Sequence, residues 1–277
     1  MLLKQQIDQI IEHAFQEDMN NGDITVSALL TEDDQVTGTL IAKEAGILAG
    51  LSVFRRVFEL LDHTIIINCN KNDGNLLEKG DIIATISGQA GPILMGERTA
   101  LNILQRMSGI ATMTHTMVLT ISHTNARLVD TRKTVPGLRV LDKWAVRLGG
   151  GHNHRFNLSD AVMIKDNHIK AVGSIKKAIE KARAYIPHTM TIEVETETLD
   201  QVTEAVKAGA DIIMLDNMTI EQMEEAVKFI HGRAITEASG NIDEERIKDV
   251  AETGVDIISS GAITHSVKAL DISLKFN

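Results

Sequence analysis

The residues with the clearest chemical potential in this chain are cations that come shortly after apolar runs. Arg132 and Lys133 come after the run ARLVD, and Lys165 comes after AVMI. The segment GHNHR adds His154 and Arg155. A guanidinium group matches the geometry of carboxylate and phosphate oxygens, and an ammonium group acts as a point charge beside them. These residue types therefore predict a site for a multiply anionic ligand.

The distribution of charge along the chain supports that prediction. The segment from Arg98 to Lys170 contains eleven basic and four acidic residues, whereas the whole chain has a net charge of −10. This segment of +7 leaves −17 for the remainder, so the positive groups are concentrated and their field favours an anionic ligand. A basic face exposed to solvent is the alternative, but it does not explain why the cations follow apolar runs.

Two carboxylates also end apolar runs, Glu195 after TIEV and Asp216 after ADIIML. Burying such groups costs free energy unless they are paired, so we expect them to hold Mg²⁺ or to bind sugar hydroxyls. Salt bridges to neighbouring lysines remain the alternative. The histidines of GHNHR lack a third ligand at zinc-site spacing, so His154 is predicted to donate a hydrogen bond to an anion and His152 to be structural.

Two glycine-containing turns are candidates for phosphate binding. They are ASGN at 238–241 and SSGA at 259–262, and each follows an apolar run and precedes a helical stretch. Glycine lets backbone N–H groups approach an anion, and the start of the following helix adds partial positive charge. Because the turns belong to the last two units of one series, we expect them to act together.

The elements that must position these residues form a regular strand and helix series. Landmarks at the ends of apolar runs, from Lys165 to Gly261, are separated by 30, 21, 23 and 22 residues, which is the length of one strand plus one helix. Such a series predicts parallel strands whose carboxyl ends form the active face of a β/α barrel. A full barrel needs about 250 residues. The stretch from Arg127 to His265 is shorter, so we expect an incomplete barrel of about six strands, with an open doubly wound sheet as the rival.

The N-terminal part has a different pattern. The first eighteen residues predict an amphipathic helix, residues 31–95 alternate in short runs between glycines, and the apolar spacing from Gly96 predicts a further helix. The stretch EKGDIIATISG is similar to the hairpins of lipoyl-carrier domains, which would require Lys71 as the modified lysine. We keep a non-catalytic carrier as one alternative function.

Composition excludes several classes of protein. The chain has 277 residues, 43% of them hydrophobic, which is enough for a folded core. Its acidic pI of about 5.5 argues against general binding to nucleic acid or anionic membranes, and 3% aromatic residues argue against base-stacking surfaces. Cys69 is the only cysteine, which excludes a disulfide framework. With no apolar run of membrane-spanning length, we expect a soluble cytoplasmic protein.

Nearly the whole chain resembles the quinolinate phosphoribosyltransferase family. The resemblance is carried by the runs EDMNNGDIT, AKEAGILAGL, GERTALNILQRMSGIAT, DTRKTVPGLR, LDKWAVRLGGGHNHRFNLSDAVMIKDNH, IEVE, LDN, EASGNI and SSGAITHS. It implies an N-terminal α/β sandwich domain over residues 1–108, a barrel over 109–266 and a tail, 267–277, that rejoins the first domain. It also implies a homodimer in which Arg98 enters the site of the partner subunit.

The same resemblance implies a role for each site residue. The carboxylates of quinolinate would be bound by Arg98, Arg132, His154, Arg155 and Lys165. Lys133 would contact the pyrophosphate of phosphoribosyl pyrophosphate beside Thr131, and Glu195 and Asp216 would lie near the ribose and Mg²⁺, with Lys133, Glu195 and Asp216 acting in catalysis. The 5′-phosphate would be held by Ser239, Gly240, Asn241, Ser260, Gly261 and His265. Many family members have glycine at the position of Asn241, but asparagine tolerates left-handed backbone, so we expect the turn to be kept.

The implied reaction joins the ring nitrogen of quinolinate to ribose C1, releases pyrophosphate, and then loses CO₂ to give nicotinate mononucleotide for NAD biosynthesis. Two relatives with this fold remain as alternatives, a non-carboxylating nicotinate phosphoribosyltransferase and a protein associated with molybdenum transport. The density of cations favours the dicarboxylate substrate. A Schiff-base aldolase using Lys165 is a rival of another class, although it would require a less cationic pocket or a nearby base.

Overall fold

The computed structural model describes residues 4–276, so the helix predicted from Met1 and the tail predicted to Asn277 each lie partly outside the described residues. In chain order, the helices are α1 (Lys4–Asp18), α2 (Ile24–Leu29), α3 (Leu51–Leu61), α4 (Ala90–Thr120), α5 (Arg139–Leu148), α6 (Asp166–Val172), α7 (Ile175–Tyr185), α8 (Leu199–Ala208), α9 (Ile220–Ile230), α10 (Ile247–Glu252) and α11 (Ala262–His265). The strands are β1 (Gln35–Ala42), β2 (Gly46–Ile47), β3 (Ile66–Cys69), β4 (Leu76–Leu77), β5 (Ile82–Gln89), β6 (Arg127–Val129), β7 (Val162–Ile164), β8 (Ile192–Thr196), β9 (Ile212–Asp216), β10 (Ile235–Ser239), β11 (Ile257–Ser259) and β12 (Ile272–Phe276).

The chain forms two compact units, which we call the N-terminal unit and the barrel unit. The N-terminal unit comprises Met1–His115, Val135–Gly150 and Ser266–Asn277, and the barrel unit comprises Thr116–Thr134 and Gly151–His265. The predicted boundary at residue 108 and the assignment of 135–150 to the barrel differ from this division.

Two features explain why α5 groups with the N-terminal unit. Arg106 on α4 forms a two-point ion pair with buried Asp142 on α5, with Nε to Oδ1 at 2.9 Å and Nη2 to Oδ2 at 2.8 Å. A side chain at Gly149 would clash with the backbone of Ala111, so the end of α5 approaches α4 closely. Neither long-range contact is visible in a local sequence pattern.

The N-terminal unit contains an antiparallel sheet of order β12-β1-β5-β3. The C-terminal strand β12 pairs with β1, with Leu40 opposite Leu274. Gln105 on α4 donates from Nε2 to the Ile272 carbonyl at 2.6 Å, and Leu270 N donates to the Gln105 carbonyl at 3.0 Å. The tail is therefore held in this unit by both the sheet and α4.

Helix α3 lies within residues 31–95, whose short alternating runs predict a strand-rich segment. Its apolar residues recur at helical spacing, and Phe54, Val57 and Phe58 are fully or almost fully buried. The Phe54 and Phe58 rings meet edge to face with centroids 5.0 Å apart. Helix α4 likewise begins at Ala90 rather than Gly96, because a proline in the first helical turn is tolerated where its missing N–H has no helical acceptor.

The barrel unit confirms the predicted series of six parallel strands. Within the described residues, the sheet order is β6-β11-β10-β9-β8-β7, so each strand from β7 to β11 lies beside the next in sequence and β6 lies beside β11. This circular order with an opening between β6 and β7 is that of an incomplete barrel, and it excludes the rival doubly wound sheet, whose strand order reverses. Among residues 4–276, no helix combines the length and apolar character needed to cross a membrane.

Candidate active site

A cavity of about 520 Å³ lies at the carboxyl ends of the parallel strands, entirely within the barrel unit. The predicted site residues that line it are Thr131, Arg132, Lys133, His154, Arg155, Lys165, Glu195, Asp216, Ser239, Gly240 and Asn241. Ser259, the first residue of the predicted SSGA turn, also lines it, together with four residues that sequence analysis did not predict: Met163, Met214, Asn217 and Glu237.

Strand geometry divides these residues into two levels, because residues two apart on a strand face the same side. We call the outer level the rim, and its strand-end members are Lys165, Glu195, Asp216 and Ser239. We call the inner level the floor, and its members are Met163, Glu193, Met214 and Glu237, each two residues before a rim residue, together with His154.

The two carboxylates of the rim have different partners. Lys165 Nζ donates a hydrogen bond to Glu195 Oε2, which is the salt bridge considered as an alternative for this residue. Asp216 instead accepts a hydrogen bond at Oδ2 from Asn217 Nδ2, at 2.7 Å. A neutral amide does not cancel the charge of Asp216, so this carboxylate keeps its capacity to attract a cation.

Arg155 lines the cavity and is hydrogen-bonded to the adjoining loop. Its Nη1 donates to the Ala161 carbonyl at 3.0 Å, and its Nη2 lies 3.6 Å from Met163 Sδ. Burial lowers the pKa of Arg155, and the positive charge of Arg132 lowers it further. Two guanidinium groups that repel each other in a partly buried site are stabilised by an anion with more than one negative charge.

Lys133 adjoins the second glycine turn. Its backbone N donates to Thr131 Oγ1 at 3.0 Å, and its carbonyl accepts a hydrogen bond from Thr264 Oγ1 at 2.9 Å. A Cβ atom at Gly261 would lie 2.9 Å from both Lys133 Cδ and His265 Cδ2, so glycine allows these two side chains to approach. Gly261 therefore lies against the side chains of both Lys133 and His265, although neither Gly261 nor His265 lines the cavity.

Two further predicted residues lie outside the cavity lining. Ser260 is buried, and its Oγ donates to the Ile242 carbonyl at 2.6 Å, which ties the second glycine turn to the first. Arg98 is exposed on α4 in the N-terminal unit.

The first glycine turn has the left-handed backbone expected at residue 241. Gly240 has φ +99° and Asn241 has φ +49°. Arg246 supports the turn from outside the cavity, because its Nη1 donates to the Gly240 carbonyl at 3.0 Å and its Nη2 to the Met218 carbonyl at 2.9 Å.

The floor contains a cluster that sequence analysis missed, formed by His154 with Glu193 and Glu237. His154 Nε2 lies 3.2 Å from Glu193 Oε2 and 3.4 Å from Glu237 Oε2. Both glutamates are almost fully buried, and their Oε1 atoms have no hydrogen-bond partner within the described structure. A glutamate two residues before Glu195 in IEVE was the available signal, but the partner on β10 is distant in sequence.

This cluster binds a proton tightly. Burial by itself lowers the pKa of His154, but hydrogen bonds to both glutamates and their charges raise it to about 10. Burial raises the pKa of Glu193 by more than its hydrogen bond to His154 lowers it. Because Arg155 N donates to His154 Nδ1 at 2.8 Å, Nδ1 carries no proton and Nε2 donates to the carboxylates. We infer that the additional proton is held on the carboxylate side of the cluster by Glu193, whose pKa is raised.

The donor atoms of this cluster have the spacing of a metal site, since they lie within 4.8 Å of one another. A histidine nitrogen must be unprotonated to bind a metal, however, and the Arg155 contact leaves the ring proton on Nε2. The geometry therefore favours a proton rather than a metal ion here. The rim carboxylates Glu195 and Asp216 offer the oxygen ligands that Mg²⁺ prefers.

Comparisons with known protein families cover nearly the whole chain. The family model for the quinolinate phosphoribosyl transferase N-terminal domain matches residues 23–108, and that for the C-terminal domain matches residues 110–275. The chain is 46% identical over 269 residues to a probable nicotinate-nucleotide pyrophosphorylase [carboxylating] of Bacillus subtilis, covering 97% of this chain and 93% of that protein. It is 44% identical to the chloroplastic enzyme of that name from Arabidopsis thaliana, with 97% and 82% covered.

Solved structures agree with this similarity. NadC from Streptococcus pyogenes superimposes with a TM-score of 0.96 at 48% identity, covering 100% of this chain and 98% of that chain. The nicotinate-nucleotide pyrophosphorylase from Francisella tularensis gives a TM-score of 0.95 at 40% identity, with 100% and 98% covered.

Proposed function

The chain belongs to the quinolinate phosphoribosyltransferase family, and we propose that the rim and floor of its barrel cavity divide the work of that reaction. The protein is a carboxylating nicotinate-nucleotide pyrophosphorylase of NAD biosynthesis. It transfers a phosphoribosyl group from phosphoribosyl pyrophosphate to quinolinate, and nicotinate mononucleotide, CO₂ and pyrophosphate are formed. The observation that carries the assignment of residues is the convergence of cations, carboxylates and a glycine turn in one cavity.

Arg132, Arg155 and Lys165 bind the two carboxylates of quinolinate. Their charges suit a dicarboxylate better than a monocarboxylate, because the mutual repulsion that lowers the pKa of Arg155 is relieved most by two negative charges. Met163 and Met214 supply apolar surface for the planar ring. His154 holds the Arg155 backbone from the floor, since both of its ring nitrogens contact protein groups.

The first glycine turn binds the 5′-phosphate of phosphoribosyl pyrophosphate through Ser239, Gly240 and Asn241. The second turn assists through Gly261 and His265, while buried Ser260 connects the two turns. Lys133 lies beside Gly261 and offsets the charge of the pyrophosphate as it leaves.

The proposed metal is Mg²⁺, and the oxygen donors of Glu195 and Asp216 fit it. When bound, Mg²⁺ supplies positive charge that stabilises the leaving pyrophosphate. Glu195 and Asp216 also hold the ribose hydroxyls. As the bond from C1 to pyrophosphate breaks, positive charge grows on the ribose, and these carboxylates stabilise it.

In the first step, the ring nitrogen of quinolinate forms a bond to ribose C1 while the bond from C1 to the pyrophosphate oxygen breaks. In the second step, the carboxylate next to the ring nitrogen leaves as CO₂, the cationic pyridinium stabilises the electron pair left on the ring carbon, and that carbon takes a proton from water to give nicotinate mononucleotide. Arg132 and Arg155 orient the substrate for both steps. The protein contributes mainly by positioning.

The proposed assembly is a homodimer in which Arg98 of one subunit enters the site of the other. Support comes from its position in the GER motif and its exposure on α4. We also place the enzyme in the cytoplasm, because a chain with a single cysteine suits a reducing compartment.

Product analysis tests the assignment. The purified chain is incubated with phosphoribosyl pyrophosphate, Mg²⁺ and either quinolinate or nicotinate, and CO₂ and nicotinate mononucleotide are measured. We expect CO₂ release with quinolinate and none without the metal ion. Turnover of nicotinate without activity on quinolinate would indicate the non-carboxylating reaction. A borohydride-trapped adduct at Lys165 would indicate the aldolase.

A further inference from the structure

Asn217 connects two parts of the rim that bind different portions of the same substrate. Its Nδ2 donates to Asp216 Oδ2 at 2.7 Å, and its Oδ1 accepts from Asn241 Nδ2 at 3.3 Å. Its backbone N donates to the Ser239 carbonyl at 2.9 Å. One residue thus bonds both the strand-end carboxylate of β9 and the glycine turn after β10.

The backbone of Asn217 is in an uncommon conformation. Its φ is +55°, and within the described residues only His231 and Asn241 share a positive φ among non-glycine residues. Left-handed backbone costs free energy for most side chains, although asparagine tolerates it better than most. A glycine would adopt it at lower cost, so the contacts of the amide side chain are what offset that cost.

Gly240 packs directly against this amide. A Cβ atom at Gly240 would overlap Asn217 Oδ1 and would lie 2.8 Å from Asn217 N. On the other side, Arg246 Nη1 holds the Gly240 carbonyl. Because a trans peptide points its N–H opposite to its C=O, this bond directs the Asn241 N–H away from Arg246. Asn217 and Arg246 together fix the peptide planes of the turn.

We propose that Asn217 is a positioning residue that aligns Asp216 with the phosphate-binding turn. The ribosyl group and the 5′-phosphate of phosphoribosyl pyrophosphate are then held in one relative arrangement. This inference rests on the proposed function of the turn and of Asp216. It predicts that variants of Asn217 bind phosphoribosyl pyrophosphate more weakly and bind quinolinate as the wild type does. The reason is that the hydrogen bonds of Asn217 go to Asp216 and the turn rather than to Arg132, Arg155 or Lys165.

Three variants test the proposal. Asn217→Gly keeps the left-handed backbone but removes both side-chain hydrogen bonds. Asn217→Asp keeps the shape and the acceptor toward Asn241, but it cannot donate to Asp216 and adds a negative charge beside it. His231→Gly is the matched control, because His231 is exposed, has φ +46° and ends α9 outside the cavity lining.

For Asn217→Gly, we expect the KM for phosphoribosyl pyrophosphate to rise about tenfold to a hundredfold and kcat to fall. The KM for quinolinate and every constant of His231→Gly should stay within about twofold of wild type. Asn217→Asp should lower kcat further than Asn217→Gly does. Circular dichroism and the melting temperature separate these effects from loss of folding.

Two outcomes would overturn the positioning role. One is an equal rise in both KM values for Asn217→Gly, and the other is wild-type kinetics in Asn217→Asp. Wild-type CO₂ release is measured first, so that failure of the proposed function is recognised separately: an active wild type with unaffected Asn217 variants contradicts only this inference.

Discussion

The rim and the floor of the cavity lie two residues apart on the same strands, yet their charged groups are arranged in opposite ways. At the rim, Lys165 and Glu195 are paired and accessible from the cavity, and the Asp216 carboxylate accepts a hydrogen bond from a neutral amide. At the floor, Glu193 and Glu237 are buried around His154 and raise its pKa.

This difference indicates two kinds of contribution to one reaction. Charged groups at the rim can exchange their protein partners for substrate groups, because the cavity gives substrate access to them. The charged groups of the floor cannot exchange their partners in this way, because that would leave a buried charge unpaired, which costs free energy. We therefore expect rim variants to lose ligand binding or turnover, and floor variants to lose the orientation of Arg155 and the stability of the fold.

The largest expected effect tests whether the rim is completed by a partner subunit. Arg98→Ala and Lys165→Ala should each be nearly inactive as homodimers. When the two variants are mixed and allowed to exchange subunits, one site of each mixed dimer lacks both groups and the other keeps both. Random assortment then restores about a quarter of wild-type activity if the interface is symmetric.

Subunit exchange is monitored with a fluorescent label on one variant, so that recovery of activity can be compared with the fraction of mixed dimers. Exchange without recovery would show that Arg98 serves its own subunit. The rim would then be complete within one chain.

The next effect concerns the cations that line the cavity beside the rim carboxylates. Arg132→Ala should weaken quinolinate binding by about 2–5 kcal/mol, because a charge-assisted contact is lost where the ligand is desolvated. The binding of phosphoribosyl pyrophosphate should be weakened much less. Calorimetric titration of each substrate separately measures the difference, with exposed Arg183→Ala on α7 as the control. Equal weakening of both substrates would contradict the division of the site.

The rim could be predicted from the sequence because its residues end strands at regular spacing. Lys165, Glu195 and Asp216 each follow an apolar run, and the alternation of strands and helices identifies the edge at which they meet. The family resemblance then assigned roles that spacing alone left open, including the choice between sugar, metal and salt bridge for the carboxylates.

The floor could not be predicted in the same way. An inward glutamate such as Glu193 has the same local pattern as a solvent-facing residue of an alternating strand, and only the order of the strands in the incomplete barrel shows which side is inside. Its contact with His154 and Glu237 joins segments far apart in the chain. The grouping of helix α5 with the N-terminal unit depends on a similar long-range contact, since its ion pair joins Arg106 to Asp142.

A smaller effect on catalysis is expected from the floor. His154→Ala removes the acceptor for the Arg155 backbone N–H and leaves two buried carboxylates without their ring donor. The free energy of unfolding should fall by about 1–3 kcal/mol. The KM for quinolinate should rise less than in Arg132→Ala. Urea unfolding measures the free energy of unfolding and steady-state kinetics measure the KM, with exposed His188→Ala as the control.

A kinetic defect as large as that of Arg132→Ala, with unchanged stability, would place His154 among the groups that bind substrate directly.

The smallest effect on catalysis is expected from a variant that changes the pH dependence of stability, which belongs to the floor alone. The pKa of His154 is raised from its ordinary value of 6.5 to about 10, so the folded state binds a proton more tightly than the unfolded state does. The raised pKa of Glu193 acts in the same direction.

This contribution to stability is fully present at pH values below the pKa values of the unfolded state, and it is lost as the pH rises through the pKa values of the folded state. Between pH 7 and pH 10 the free energy of unfolding should therefore decrease, by at most about 1.4 kcal/mol per pH unit for one proton. Glu237→Gln removes a negative charge that raises the pKa of His154 and puts a neutral group of the same shape in its place, so it should flatten the decrease without affecting the rim. Urea unfolding of wild type and variant across this range measures the two slopes, and the two proteins differ in no other ionisable side chain. If the slopes are equal, the cluster does not hold the additional proton, and the floor differs from the rim in burial only.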